Sequence, residues 1–126
     1  KKKLFKNEKI IIDGCHSPVG AKNLYDYLRK FNIPIFGIWA MTKNKDPDEF
    51  IKQFNGIFEK IFITTINNEP ASLPAEVLVK TAIKNKLHYE KVKNFDEALS
   101  KVSSNKRKLI VCFGSLYGAG EILKKN

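Results

Sequence analysis

The sequence carries no apolar run long enough to span a bilayer and nothing resembling a signal peptide, so no membrane association is expected. Cysteine is scarce. Cys15 and Cys112 are the only two, both in apolar, strand-like surroundings, which fits a reducing, cytoplasmic setting with free thiols rather than a disulfide scaffold. Histidine is equally scarce, and His16 and His88 do not fall at zinc-ligand spacing with the cysteines, so no metal site is expected in this chain. Both common phosphate cradles, G-x-x-x-x-G-K-[ST] and G-x-G-x-x-G, are missing. A hydrolase triad can be assembled on paper from Ser115, His16 and Asp13, but the G-x-S-x-G elbow that would expose such a serine is absent. Methionine is missing from the first position: the chain opens on Lys1 and is read as a piece excised from a longer one.

What is present suffices for one domain. At 126 residues a chain buries roughly two-thirds of its unfolded surface without a disulfide or metal staple. The 43% hydrophobic and 11% aromatic content supplies a core for residues 1–126 as a single unit. The formal charge is +10, with basic clusters at Lys1-Lys2-Lys3, Lys106-Arg107-Lys108 and Lys124-Lys125. Such a balance favours anionic ligands and permits weak, salt-sensitive nucleic-acid binding, and it is equally the solvated surface of a lysine-rich chain. Phe36, Trp39, Phe50, Phe54 and Phe62 follow core periodicities rather than forming a base-stacking platform, so nucleic acid is not the expected partner.

Apolar runs alternate with amphipathic stretches along the whole chain. Strands are predicted at 9–13, 34–41, 60–66 and 109–113, with a weaker one at 87–92. Helices are predicted at 18–31, on a stripe of Leu24, Tyr27, Leu28 and Phe31, and at 46–58, on Phe50, Ile51, Phe54 and Ile57. Another opens at Pro74 with Leu78, Ala82 and Ile83 inward, and one follows Asn94 with Ala98, Leu99 and Val102 inward. A short one is expected after Gly114. Asp46-Pro47 with Glu49, and Asn94 with Glu97, are cap-and-third-residue signatures. The pattern predicts an α/β domain of Rossmann-like build, a mostly parallel sheet of five to six strands with helices on both faces.

In such sheets ligands sit beyond the carboxyl ends of the strands. Asp13 and His16 lie there for the first strand, and Gly114 and Ser115 for the last. Ser17-Pro18 is explained as a helix cap and first turn, but Asp13 and His16 are not needed to build that turn. An acid there can accept ribose hydroxyls or face a cation, and an imidazole can donate to phosphate or carboxylate. The alternative is a capping acid and an exposed loop histidine. Likewise Gly114-Ser115-Leu116-Tyr117-Gly118 is either an anion-friendly strand-to-helix turn or a plain serine cap.

The motif "DGCHSPVGAKNLYDYL" resembles the "DGAHNPxGAxxLxxxL" segment that opens the C-terminal domain of folylpolyglutamate synthase and dihydrofolate synthase, members of the Mur ligase superfamily. "IFGIWAMTKNKDPDEFI" resembles the family's "FGM…DKD" region, "TTINNEPASLPAEVL" the following loop and helix, and "LIVCFGSLYGAGEIL" the "GSLYLxGE" ending. The four blocks fall in family order and span nearly the whole chain. The resemblance implies the Mur ligase C-terminal fold and an ATP-dependent ligase that adds L-glutamate to dihydropteroate or tetrahydrofolate through an acyl phosphate. It also implies that ATP and Mg²⁺ are held mainly by an upstream P-loop domain, over which this domain closes. It therefore implies a piece that is inactive alone and a monomeric enzyme. Carried across by motif, Asp13 and His16 fall by ATP, and His16 and Ser115 by glutamate. Ser17, Lys45, Asp46 and Tyr117 fall within matching segments. Two departures stand out: Cys15 and Ser17 replace the usual Ala and Asn, and Pro70-Ala71-Ser72 replaces Pro-Arg-Ala, so no loop arginine is assigned. Another Mur-type amino-acid ligase and a stand-alone basic nucleic-acid-binding module are the competing readings.

Overall fold

Five apolar runs pair into one parallel sheet in the computed structural model, which describes residues 8–13, 17–66, 69–103 and 106–114. In chain order the elements are β1 (Glu8–Asp13), α1 (Pro18–Leu28), β2 (Ile35–Ala40), α2 (Pro47–Ile51), a 3-10 turn (Lys52–Phe54), β3 (Lys60–Ile63), α3 (Ala75–Lys84), β4 (Tyr89–Lys91), α4 (Phe95–Val102) and β5 (Lys108–Gly114). The strand order is β1-β5-β2-β3-β4, so the last strand lies between the first two.

Side-chain alternation sorts the core into two layers. From β5, Leu109, Val111 and Phe113 join Ala21, Leu24, Leu28, Phe50, Phe54, Leu78 and Ala82 on the face covered by α1, α2 and α3. Ile110 and Cys112 point the other way and meet Phe95, Ala98, Leu99 and Val102 of α4. Helices therefore cover both faces, as the pattern predicts. Phe113 centres an aromatic group, with Phe58, Phe54, Phe50 and Trp39 ring centroids 5.0, 5.2, 5.8 and 6.2 Å away. Phe58 and Phe113 close over Gly37, where a Cβ would lie 2.8 Å from the Phe113 ring. Cys112 is a free thiol whose pKa burial pushes up to about 12, as suits a packing residue rather than a nucleophile.

The caps act as their sequence signatures say. Ser17 Oγ accepts from the Gly20 N–H at 3.2 Å, and Asp46 Oδ1 accepts from Asp48 and Glu49 N–H at 3.1 and 3.2 Å. Asn94 Oδ1 accepts from Glu97 N–H at 2.9 Å. The Glu97 carboxylate reaches one residue further back than a capping box would, to Lys93 N–H at 2.7 Å. The Glu49 carboxylate is 3.0 Å from Lys52 instead of closing a box.

Several boundaries differ from the pattern. The helix expected at 46–58 is α2 and a 3-10 turn, ended by Gly56 in the left-handed region at φ 76°. Helix α1 stops at Leu28, where Arg29 caps it, and Tyr27 is 49% exposed, edge-on to Phe31 rather than in the core. Ile83 is 59% exposed because Leu78, Thr81 and Ala82 already fill the inner face of α3. That helix ends in a Schellman pattern, with Leu87 N–H bonded to Ala82 O and Lys86 N–H to Ile83 O. Lys86 occupies the left-handed position at φ 57°, and this turn consumes the first residues of the strand expected at 87–92. Strand β3 ends at Ile63 because Ile66 N–H turns away to Ser72 Oγ. The helix expected after Gly114 lies outside the described residues.

Two carboxylates tie elements together and give the fold a pH dependence. Glu90 sits 2.8 Å from both Lys101 and Lys60, and these hold its pKa at about 2, down from 4.5. Asn85, Lys52 and Lys84 hold Asp48 at about 2, down from 3.8. Both pKa values are depressed on folding, so their stabilisation is present above the unfolded values and is lost as the pH falls from about 5 towards 2. Urea midpoints should fall across that window, and Glu90→Gln with Asp48→Asn should flatten the fall. An unchanged slope in that double variant would mean that solvent screens both groups into insignificance.

Candidate functional site

The carboxyl edge of the sheet is where the chemistry-bearing residues collect. In register, Asp13 pairs with Phe113 across β1 and β5, and Gly114 pairs with Ala40 across β5 and β2. The first and last strands, which spacing alone could not relate, are therefore neighbours. At this edge β1 sends its connection through α1 on one face of the sheet, whereas α4 on the other face leads into β5 at the opposite, amino edge. Ligands of open α/β sheets bind in the crevice beyond the carboxyl ends of the strands.

Asp13 is half-buried at the tip of β1, and four residues later Ser17 caps α1, leaving first-turn N–H groups aimed towards the same edge. Gly114 fixes how closely β5 and β2 end together. Its φ is +112°, and an added Cβ would run into the Ala40 carbonyl oxygen and lie 3.3 Å from Trp39 Cδ1. Beneath it the Trp39 indole is fully buried between aromatic rings, and its Nε1–H has no partner among the described residues.

The loop leaving β2 lies on this edge too, held by the loop that follows β3. Thr42 and Ser72 form an antiparallel bridge, Lys43 N–H bonds Ala71 O at 2.6 Å, and Leu73 N–H bonds Met41 O at 2.8 Å. Thr42 Oγ1 donates to Asn44 Oδ1 at 2.7 Å, which folds the loop back before Lys45. Lys45 is half-buried; its own N–H bonds Thr42 O at 3.3 Å. The Asp46 carboxylate is engaged in capping α2, so its helix-start role has a full structural explanation.

Beside these loops Thr65, Ile66, Glu69, Pro70, Ser72 and Leu73 line an open depression of about 520 Å³. Sequence reasoning did not single out Thr65 or Ser72. The only signal was a pair of hydroxyls in the loop between β3 and α3, and such residues are common in any turn. In the Pro70-Ala71-Ser72 stretch, Ala71 donates its N–H to Glu69 Oε2 at 2.9 Å.

Of the site residues taken from the sequence, the structure brings Asp13, Ser17, Lys45 and Asp46 to one edge of the sheet. His16, Ser115 and Tyr117 lie outside the described residues. No group of three or more His, Cys, Asp or Glu able to hold a metal ion occurs among the described residues. No helix among them is long and apolar enough to cross a membrane.

Residues 2–125 match the protein family described as "Dihydrofolate synthetase, C-terminal domain". The chain is 27% identical over 127 aligned positions to the dihydrofolate synthetase of Saccharomyces cerevisiae, covering 91% of this chain and 30% of that protein. Among solved structures, the folylpolyglutamate synthase of Thermotoga maritima superposes with a TM-score of 0.80 at 25% identity, over 98% of this chain and 30% of that one. The bifunctional folylpolyglutamate synthase/dihydrofolate synthase of Yersinia pestis, solved with AMPPNP and a manganese ion, superposes with a TM-score of 0.81 at 13% identity. That match covers 92% of this chain and 28% of the other. The chain thus spans about 30% of the length of the relatives it matches.

Proposed function

The chain belongs to the family of dihydrofolate synthetase C-terminal domains, and from that premise we propose that it is the closing domain of an ATP-dependent ligase that joins L-glutamate to dihydropteroate, tetrahydrofolate or both. The observation that supports this is the placement of the resemblance motif's acid, Asp13, beside Gly114 of the closing motif at the carboxyl edge of the sheet.

An oxygen of the acceptor's carboxylate attacks the γ-phosphorus of ATP, and the β–γ phosphoanhydride bond breaks to release ADP. The acyl phosphate so formed is attacked by the glutamate amine, which loses a proton as phosphate leaves. Neither phosphate cradle is present in this chain, so the phosphates and Mg²⁺ fall to an upstream P-loop domain. The edge described here provides the opposite wall. Asp13 accepts from the ATP ribose hydroxyls or faces the phosphates, His16 lies between nucleotide and glutamate, and Ser115 holds the glutamate. Lys45 and Ser17 flank the same edge. Closing this wall on the other excludes water from the acyl phosphate, which hydrolysis would otherwise consume.

The test is ATP-dependent glutamate ligation onto dihydropteroate and onto tetrahydrofolate. It compares the longest natural chain containing this segment with the 126 residues alone. Activity in the longer chain only is expected, and the preferred acceptor identifies the substrate. Activity in the isolated segment would overturn the closing-domain reading, and folded but inactive samples of both would overturn the ligase.

A further inference from the structure

Between the 3-10 turn and β3 the chain reverses over residues 54–57. Asn55 has φ −52° and ψ 123°, Gly56 has φ 76°, and Ile57 N–H bonds Phe54 O at 3.1 Å, which is a type II turn. The positive φ accounts for the glycine. It does not account for the asparagine, because that position suits any residue with φ near −60°. Among the asparagines of the chain, Asn55 is the one followed by glycine. Both residues are exposed, and nothing lies within 4 Å of where a Cβ on Gly56 would stand. No hydrogen bond among the described residues engages the Asn55 carboxamide or the Gly56 N–H.

Other asparagines are held or screened. Asn85 gives its carboxamide to the Asp48 carboxylate and to Thr81 O, both at 2.9 Å, and Asn94 caps α4. Asn23, Asn32 and Asn44 are exposed, but they precede Leu24, Ile33 and Lys45, whose side chains crowd the next backbone nitrogen. Asn23 is also fixed within α1, and Asn44 Oδ1 accepts from Thr42 Oγ1.

We infer that Asn55 is a modification site, one of spontaneous deamidation through a cyclic imide with Gly56. Hydroxide removes the proton of the Gly56 amide, and its nitrogen attacks Asn55 Cγ. The N–Cγ bond forms and the Cγ–Nδ2 bond breaks, Nδ2 leaving as ammonia with a proton from water, which regenerates hydroxide. Water then opens the succinimide at one of its two carbonyls, giving aspartate or isoaspartate. Glycine puts no Cβ beside the attacking nitrogen, and it lets the peptide between the two residues flip. That flip converts type II to type I and carries the Asn55 ψ to about −30°, towards the geometry of ring closure. The new carboxylate stands on the wall of a cavity of about 220 Å³ that Lys52 and Asn85 also line. Those two side chains hold Asp48, at 3.1 and 2.9 Å, so the product offers Lys52 a rival partner. Isoaspartate also adds a methylene to the backbone just before β3.

The test incubates the longest natural chain containing this segment, folded and in urea, at several mildly alkaline pH values. Trypsin cleavage after Lys52 and Lys60 then releases residues 53–60, whose single asparagine is Asn55, for mass spectrometry. Aspartate and isoaspartate are both expected in that peptide, at a rate that rises in proportion to hydroxide. The folded rate should lie within about 10-fold of the denatured one, because no more than one turn hydrogen bond resists the flip. Asn23, Asn32 and Asn44 should stay intact over the same interval, and Asn55→Gln should abolish the change. An intact Asn55 in the folded chain, while the denatured chain converts, would mean that the turn protects it and would overturn the site. So would conversion of Asn23, Asn32 and Asn44 at the same rate, or a rate independent of pH.

Discussion

Gly114→Ala is expected to destabilise the fold by about 3–5 kcal/mol, the range reserved for substitutions that break a backbone requirement. Two effects combine. A φ of +112° is outside the regions an L-residue adopts at low energy, and the new methyl would collide with the Ala40 carbonyl oxygen. That oxygen belongs to a paired strand, not to the end of a flexible side chain. Relief therefore requires the β5–β2 ladder to open at its carboxyl end, next to Asp13. Urea denaturation monitored at the buried Trp39 would read the change directly. A loss below about 1 kcal/mol would mean that the turn after β5 relaxes without disturbing its neighbours.

In the longest natural chain, Asp13→Asn is expected to lower ATP-dependent ligation about 10- to 100-fold, the usual worth of one charge-assisted hydrogen bond to a bound ligand. The substitution preserves shape and removes charge, so stability should change far less than activity. A contact with the nucleotide should appear in KM for ATP. His16→Ala should also impair ligation with the domain still folded, and the place proposed for it between nucleotide and glutamate predicts a fall in kcat/KM for glutamate. Unchanged ligation in both variants would return these two residues to the role of an ordinary cap acid and a loop histidine. Unchanged folding with lost activity would separate them from Gly114, whose alanine variant should lose both.

Much of this architecture was legible because its signals are local. Ile and Val runs bounded by turns marked β1, β2, β3 and β5, and Asp46-Pro47 and Asn94 marked two helix starts that the structure reproduces. What the sequence concealed was decided by tertiary neighbours. Tyr27 and Ile83 satisfy helical spacing, but the inner faces of α1 and α3 are filled by Ala21, Leu24, Leu28, Leu78 and Ala82. Nothing local told Ile66 to leave its strand for the Ser72 hydroxyl. The site divides the same way. Asp13 was visible as an acid that the turn does not need, but its adjacency to Gly114 follows from strand order, which no window of residues encodes.

The placement of β5 between β1 and β2 also sets an order of assembly. Strand pairs that must wait for a distant partner form slowly, because the intervening loop has to close first. During synthesis, the chain through residue 107 leaves β1 without the one strand it pairs with among the described residues, and β2 with one edge of unpaired backbone groups. Only the arrival of Lys108–Gly114 joins the two, and with them the two halves of the carboxyl edge. The nascent domain is thus a split template, open to invasion by any passing strand and dependent on its own last strand for closure.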